Sequence, residues 1–110
     1  MSNPLLKPLL NPVLYALCRH CVSIMDGWIP YPSTCIADTL NMPLGKVRYQ
    51  LKKLKAQGLV VGDRYVDKSE DGVILVNGYT LTEKGKHTSE YATAEEIERK
   101  VCKECFGIDI

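Results

Sequence analysis

The segment from Pro43 to Gly58 constrains the fold more than any other part of this sequence, because its ends and its periodicity are those of one amphipathic helix. Proline suits the start of a helix, and glycine suits the position just past its last turn. Between them, apolar residues recur at spacings of three and four, which places them on one stripe. These apolar residues are Leu44, Val47, Leu51 and Leu54. The pattern predicts a helix over residues 43–57 with one face packed on a core.

The opposite face of this predicted helix is basic. The chain of 110 residues has a net charge of only +1, yet residues 39–62 contain five basic side chains and no acidic one. The five are Lys46, Arg48, Lys52, Lys53 and Lys55. A merely solvated helix face usually alternates charges of both signs, and this one does not. The pattern therefore favours an anionic partner that contacts one face of the molecule.

Two further helices are predicted before the basic one. The first begins at Asn11, which can cap it, and its apolar stripe runs to Met25. The second begins at a cap formed by Ser33 or Thr34 and ends before a tight turn at residues 41–43. The second helix, the turn and the basic helix have the proportions of a helix-turn-helix.

The residues after the basic helix predict a β-hairpin. Residues 59–66 and 73–81 have strand character, and the polar residues 67–72 predict a long turn between them. Asn77 and Gly78 are interpreted as a bulge within the second strand. Residues 28–30 predict a short extended piece, which could add a third strand.

A last helix is predicted over residues 93–107. Thr93 and Glu96 match a capping box, with acidic residues near the start and basic residues near the end of the helix. Before it, Thr82 is expected to cap a short helical turn over residues 83–86.

Two stretches of the sequence resemble winged helix-turn-helix regulators of the bacterial MarR/ArsR type. Residues 36–60, IADTLNMPLGKVRYQLKKLKAQGLV, resemble the pattern Ile-Ala-x-x-Leu, turn, x-Val-x-x-x-Leu-x-x-Leu, Gly-Leu-Val of that family. Residues 79–85, YTLTEKG, resemble the segment Tyr-x-Leu-Thr-x-x-Gly that closes the wing. The resemblance implies an α+β, mainly α fold: a three-helix core and a two- to three-stranded wing, with additional N- and C-terminal helices. We expect one domain over residues 1–110, with an N-terminal part at 1–27, the helix-turn-helix at 33–58, the wing at 59–81 and the last helix at 93–107.

The resemblance also implies that the basic helix enters the major groove of double-stranded DNA while the wing contacts the DNA backbone or minor groove. The base-reading residues would be Gly45, Lys46, Arg48, Tyr49 and Gln50. Lysine and arginine can donate to guanine, and glutamine can pair with adenine. The phosphate-binding residues would be Lys52, Lys53, Lys55, Arg64 and Lys68. The wing tip at residues 67–72 is net acidic, so deep insertion of the wing is not expected.

Members of that family generally act as dimers, and a homodimer is expected here. A single copy of the DNA-binding domain, called a reading head below, would bind weakly at physiological salt, because phosphate contacts are strongly screened. The expected interface consists of Leu5, Leu6, Leu9, Leu10, Ile97, Val101 and Phe106. The alternative is that these residues only complete the core of the monomer.

The five cysteines cannot all pair within one chain, so a reduced, intracellular protein is expected. Cys18, Cys21, Cys102 and Cys105 form two C-x-x-C pairs that could bind zinc if the first and last helices meet. Thiols on apolar stripes more often pack as small hydrophobic groups, so no metal and no cofactor is predicted.

The sequence predicts a binding protein, not an enzyme, because no nucleophile–base pair, phosphate loop or pair of catalytic carboxylates is recognisable in it. The apolar N-terminus is broken by prolines and lacks a basic leader, so a cytoplasmic protein without a membrane segment is expected. The predicted function is sequence-specific binding of double-stranded DNA by a dimeric transcriptional regulator. The alternative is a winged-helix module that binds protein and not DNA. No small-molecule effector can be named from the sequence.

Overall fold

The computed structural model describes residues 10–23, 27 and 29–107. A short 3₁₀ turn (Lys84–His87) precedes the last α-helix, and a π-helical turn (Cys102–Phe106) follows it. The α-helices and strands of this part of the chain are α1 (Pro12–Val22), α2 (Ser33–Leu40), α3 (Leu44–Ala56), β1 (Val60–Ser69), β2 (Gly72–Leu81) and α4 (Ser89–Val101). No helix within it is both long and apolar enough to cross a bilayer.

Helix α1 begins at the predicted cap. The side chain of Asn11 accepts hydrogen bonds from the backbone N–H groups of Val13 (3.0 Å) and Leu14 (3.1 Å). The helix ends at Val22 because Ser23 has an extended backbone conformation and donates its N–H to the carbonyl of His20. The predicted continuation to Met25 is therefore too long, and residues 24–26 lie outside the described residues.

Helices α2 and α3 lie within the range predicted for the helix-turn-helix, but the cap of α2 differs from the prediction. Pro32, which is extended, precedes α2, and its carbonyl accepts from the N–H groups of Cys35 and Ile36. The prediction of a Ser33 or Thr34 cap is wrong because proline fixes the entry to the helix one residue earlier. Asn41 then turns the chain with a left-handed conformation (φ 53°).

The core is formed where α1, α2, α3 and α4 pack together with the base of the hairpin. The predicted stripe of α3 is confirmed, since Val47, Leu51 and Leu54 are at most 3% exposed. Leu44 is half-buried and packs against the same cluster. Other core residues are Val13, Leu14, Leu17, Cys18, Ile36, Val60, Leu81 and Ala94. Burial of the stripe fixes which face of α3 points to solvent.

The hairpin is longer and more regular than predicted. Its strands pair antiparallel in one continuous register, from Val60 opposite Leu81 to Ser69 opposite Gly72, so only residues 70–71 form the turn. The long turn predicted at 67–72 and the bulge predicted at 77–78 are both wrong. Gly78 has a different role, because a Cβ there would lie 2.7 Å from the backbone of Pro30.

The extended piece before α2 contributes one bridge to the sheet, not a full third strand. Tyr31 and Tyr79 exchange two backbone hydrogen bonds of 2.9 Å each. The side chain of Trp28 lies outside the described residues.

Helix α4 begins four residues earlier than predicted. Thr88 is its N-cap, and the Thr88 hydroxyl accepts from the N–H of Tyr91 (3.2 Å). Thr93 is inside the helix, so the predicted capping box is wrong. The expected turn before it is present as the 3₁₀ turn, where the Thr82 hydroxyl accepts from the N–H of Gly85 (3.1 Å).

Candidate nucleic-acid interface

The exposed face of α3 carries all five basic residues of the helix. Lys46, Arg48, Lys52, Lys53 and Lys55 are exposed, and Tyr49 between them is 61% exposed. Because the apolar stripe is buried on the opposite side, the helix cannot rotate to hide these side chains without opening the core. The fold therefore holds a dense cationic surface in a fixed orientation.

Acidic side chains do not neutralise this surface. The ion pairs in the described part of the chain join Arg19 to Glu98, Lys86 to Glu83, and Lys100 to Glu96, so none involves α3. Uncompensated charges on one convex helix create a local positive potential even on a nearly neutral protein.

Tyr49 and Lys53 lie one helical turn apart and contact each other. The Nζ atom of Lys53 is 5.5 Å from the centroid of the Tyr49 ring, within the range of a cation–π interaction. This contact positions an aromatic ring and an ammonium group together on the solvent face.

Gln50 differs from the other predicted base-reading residues. It is half-buried, and its side-chain oxygen accepts a hydrogen bond from the side-chain amide of Asn11 (3.3 Å). The backbone N–H of Asn11 in turn donates to Glu90 at the start of α4 (2.8 Å). Gln50 thus connects α3 to the N-cap residue of α1, and the sequence pattern alone gave no sign of this contact.

Gly45, in the first turn of α3, has open space around it. A Cβ added at this position would have no neighbour within 4 Å among the described residues. Its φ is not in the left-handed region, so the fold itself does not require glycine here.

A groove of about 490 Å³ lies between the end of α3 and the wing. Lys55 from the helix and Arg64 from β1 both line it, so the structure brings two predicted phosphate-binding residues together. Lys68, the third predicted contact near the wing, is exposed but does not line the groove. The other lining residues are Gly62, Asp63, Asn77, Gly78 and Tyr79.

The outer half of the wing has an unexpected composition. Val66, Val73, Ile74 and Leu75 are each more than half exposed, and the acidic residues of the tip are exposed beside them. The run of apolar residues at 73–76 was the available sequence signal, but it reads equally well as a buried strand.

The residues predicted to form a dimer interface are only partly described. Leu10, Ile97 and Val101 are half-buried in the monomer. Leu5, Leu6 and Leu9 lie outside the described residues, and so does the side chain of Phe106.

The cysteines do not form a metal site in the described part of the chain, where no group of three or more potential ligands is found. Cys18 and Cys102 are buried, while Cys105 is exposed. The Cys102 thiol donates to Glu98 (3.5 Å). Burial raises the pKa of Cys18 to about 12, with a smaller contribution from Cys21. These properties fit the packing interpretation for Cys18 and Cys102, but the exposed Cys105 does not follow it.

The order helix, turn, basic helix and two-stranded hairpin defines this fold as a winged helix-turn-helix. A solved structure of ZitR, a zinc-responsive MarR family member from Lactococcus lactis, is similar to it, with a TM-score of 0.52 and 22% sequence identity over 94% of this chain and 66% of that one. The MarR-like winged-helix fold predicted from the sequence is confirmed by this similarity.

Two other solved structures have lower TM-scores. A mutant form of ZitR gives a TM-score of 0.47 and 18% identity over 97% of this chain and 63% of that one. A candidate DNA-binding protein from Ralstonia eutropha JMP134 gives 0.46 and 23% identity over 82% of this chain and 98% of that one. No model of a known protein family matches the chain, and no curated protein sequence is significantly similar to it.

Proposed function

We propose that this protein binds double-stranded DNA in a sequence-specific manner and acts as a dimeric transcriptional regulator. The observation that carries the proposal is the exposed basic face of α3, which no carboxylate neutralises in the described part of the chain. In a helix-turn-helix this second helix is the one that lies in the major groove. No catalytic step is part of the proposal.

The residues of the interface would divide into two groups. Lys46, Arg48 and Tyr49 lie in the first half of α3, where recognition helices contact base edges. The lysines of the second half and Arg64 across the groove would contact phosphates, which fixes position without reading sequence. Gln50, held by Asn11, would support the helix more than it reads bases.

The proposed dimer would use Leu10, Ile97 and Val101 together with the other predicted interface residues. Each of these three is half-buried in the monomer, so it retains apolar surface that a partner could cover. Two reading heads would double the phosphate contacts and would match an operator with two half-sites.

The test is a titration of the protein with duplex DNA at several salt concentrations. We expect affinity to fall steeply with salt, because each phosphate contact releases counterions. Lys52→Glu combined with Lys53→Glu should abolish binding at physiological salt, and any residual binding should have a salt slope smaller by about 2. Circular dichroism would check that the variant is folded.

The matched control reverses the same number of charges on another surface. Lys100→Glu combined with Lys103→Glu changes exposed residues at the end of α4 and just beyond it. At low salt, the DNA affinity of this variant should be within about twofold of that of the unchanged protein, and its affinity should fall with salt at the same slope. If both variants lose affinity equally, only net charge matters and α3 is not the interface. If neither loses it, the assigned face is wrong.

A further inference from the structure

The two edges of the wing differ in charge. Strand β1 carries Asp63, Arg64, Asp67 and Lys68, whereas β2 has no charged residue between Gly72 and Leu81. Charged side chains on an edge strand discourage another strand from pairing with it. The free edge of β1 is therefore protected, and the free edge of β2 is not.

The unprotected strand also exposes apolar side chains on both faces. Val73, Ile74 and Leu75 are 66%, 51% and 65% exposed. Because successive residues of a strand point to opposite faces, neither face of the outer hairpin is covered by the core. An uncharged, exposed and apolar edge strand without a bulge is a site where a further strand can add.

The backbone of this edge is available over a defined length. Tyr79 pairs with Tyr31 on the side of β2 away from β1. In a β-strand, the backbone N–H and C=O groups of every second residue point to the same edge. Val73, Leu75 and Asn77 therefore direct these groups to the same edge of β2 as Tyr79 does. Within the described residues, the bridge to Tyr31 is the one pairing on that side of β2, and it bounds the unpaired edge at Tyr79. The hairpin turn before Gly72 bounds this edge at its other end.

We propose that this edge of β2 pairs with the same edge of a second copy of the chain. The two strands would run antiparallel about a two-fold axis at Leu75, the middle of the outward-directed residues. Leu75 would then lie opposite its own copy, and Val73 opposite Asn77. The product is a four-stranded sheet with the charged β1 strands on its outside.

A second copy suits this edge better than a charged segment would. An uncharged strand meets its own copy without like-charge repulsion. Apolar pairs form on both faces, because Leu75 lies opposite its own copy on one face and Ile74 lies opposite Val76 of the other copy on the other face. The acidic turns of the two copies would lie at opposite ends of the new sheet. A two-fold contact of this kind is self-complementary, as closed protein dimers require. The pairing is separate from the dimer contact proposed above through Leu10, Ile97 and Val101, here called the helical dimer contact. It would therefore join helical dimers to one another.

Cysteine cross-linking tests the pairing directly. In a background carrying Cys35→Ser and Cys105→Ser, which removes the exposed thiols, Leu75→Cys would place two thiols at the axis. Residues directly opposite in a hydrogen-bonded antiparallel pair have Cα atoms about 5.5 Å apart, within the range of a disulfide. We expect mild oxidation to give a covalent dimer.

The control is Val66→Cys in the same background. Val66 lies opposite Leu75 on β1 and is similarly exposed (58%), but in the proposed sheet it is three strand spacings, roughly 14 Å, from its copy. It should form no more dimer than the background protein. Equal cross-linking of both variants, or none with Leu75→Cys, would overturn the proposal.

Sedimentation equilibrium gives a second readout that does not depend on thiols. With rising concentration, the mass of the unchanged protein should increase beyond that of the helical dimer. Leu75→Lys should abolish this further association, whereas Val66→Lys should not affect it. Identical masses for the unchanged protein and Leu75→Lys at every concentration would refute the pairing. If Leu75→Lys instead has the same mass as the unchanged protein but binds a single DNA half-site more weakly, this edge of β2 contacts DNA. That result would also refute the pairing. Neither result depends on the outcome of the α3 test.

Discussion

At the scale of single residues, glycine has two different reasons to be present in this chain. At Gly85 a Cβ would collide with the carbonyl oxygen of Leu59, and at Gly78 it would collide with Pro30. These positions need glycine for close packing. At Gly45, by contrast, the described residues leave space for a side chain, so their packing does not require glycine there.

Gly45→Ala should therefore stabilise the protein and weaken DNA binding. Alanine loses less conformational freedom than glycine in a helix, so we expect a gain of about 0.5 kcal/mol in the free energy of unfolding. If the backbone of Gly45 approaches the DNA closely, the added methyl group should lower affinity by roughly tenfold. Thermal unfolding and a DNA titration measure the two effects. A variant that is more stable with unchanged affinity would remove Gly45 from the interface.

At the scale of elements, the helix-turn-helix was predictable because several signals agree there. Pro43, the turn at residues 41–43, the apolar stripe and Gly58 all specify the same helix, and its burial is confirmed. The basic face was predictable for the same reason, since the buried stripe determines the opposite side. Which of these side chains contact DNA stays a prediction.

The hairpin and the last helix were less predictable because local signals competed with tertiary contacts. Asp67, Lys68 and Ser69 have the composition of a turn but continue β1, because this part of the wing has no core to demand apolar residues. For α4, the sequence offers two threonine caps, Thr88 and Thr93. The 3₁₀ turn before the helix selects Thr88, whose hydroxyl also donates to the carbonyl of Gly85 (2.8 Å).

The two threonines provide a test of where α4 begins. Thr88→Ala removes two hydrogen bonds of the Thr88 hydroxyl: the capping bond that it accepts from the N–H of Tyr91, and the bond that it donates to the carbonyl of Gly85. It should therefore lower the free energy of unfolding by about 1–2 kcal/mol. Thr93→Ala replaces a residue inside the helix with a better helix former and should cost less than about 0.5 kcal/mol. Urea unfolding measures both. A larger loss for Thr93→Ala would favour the later start.

At the scale of the whole molecule, the distribution of thiols reports on which surfaces are packed. Cys35 and Cys105 are exposed, whereas Cys18 is buried in the core cluster and Cys102 is buried at the end of α4. Burial raises the pKa of the Cys18, Cys21 and Cys102 thiols, and the thiolate is the form that reacts.

Alkylation at pH 8 should therefore proceed in two phases. We expect iodoacetamide to modify Cys35 and Cys105 first, and Cys18 and Cys102 at a rate limited by unfolding, as measured by peptide mass spectrometry over time. Added denaturant should merge the phases. Rapid modification of Cys18 in the folded protein would contradict the packing of α1 against α4.

The helical dimer is the remaining property of the whole molecule that the proposed function needs. Val101 is half-buried at the end of α4, so Val101→Glu should leave the monomer folded but place a charge in the proposed interface. In a background carrying Leu75→Lys, which blocks the proposed wing pairing, we expect its sedimentation mass to fall to that of one chain. Lys100→Glu, at the exposed neighbouring position, should keep the mass of the dimer.

DNA binding then separates the loss of the dimer from the loss of the reading head. Half-sites spaced one helical turn apart, about 10 base pairs, should be bound by the unchanged dimer far more tightly than one half-site. Val101→Glu should bind a single half-site as the unchanged protein does, because α3 is intact, but should gain nothing from the second. If Val101→Glu in the Leu75→Lys background still has the mass of a dimer, α4 is not the interface. If it is a monomer and yet distinguishes the paired sites as before, two-fold recognition does not depend on this contact.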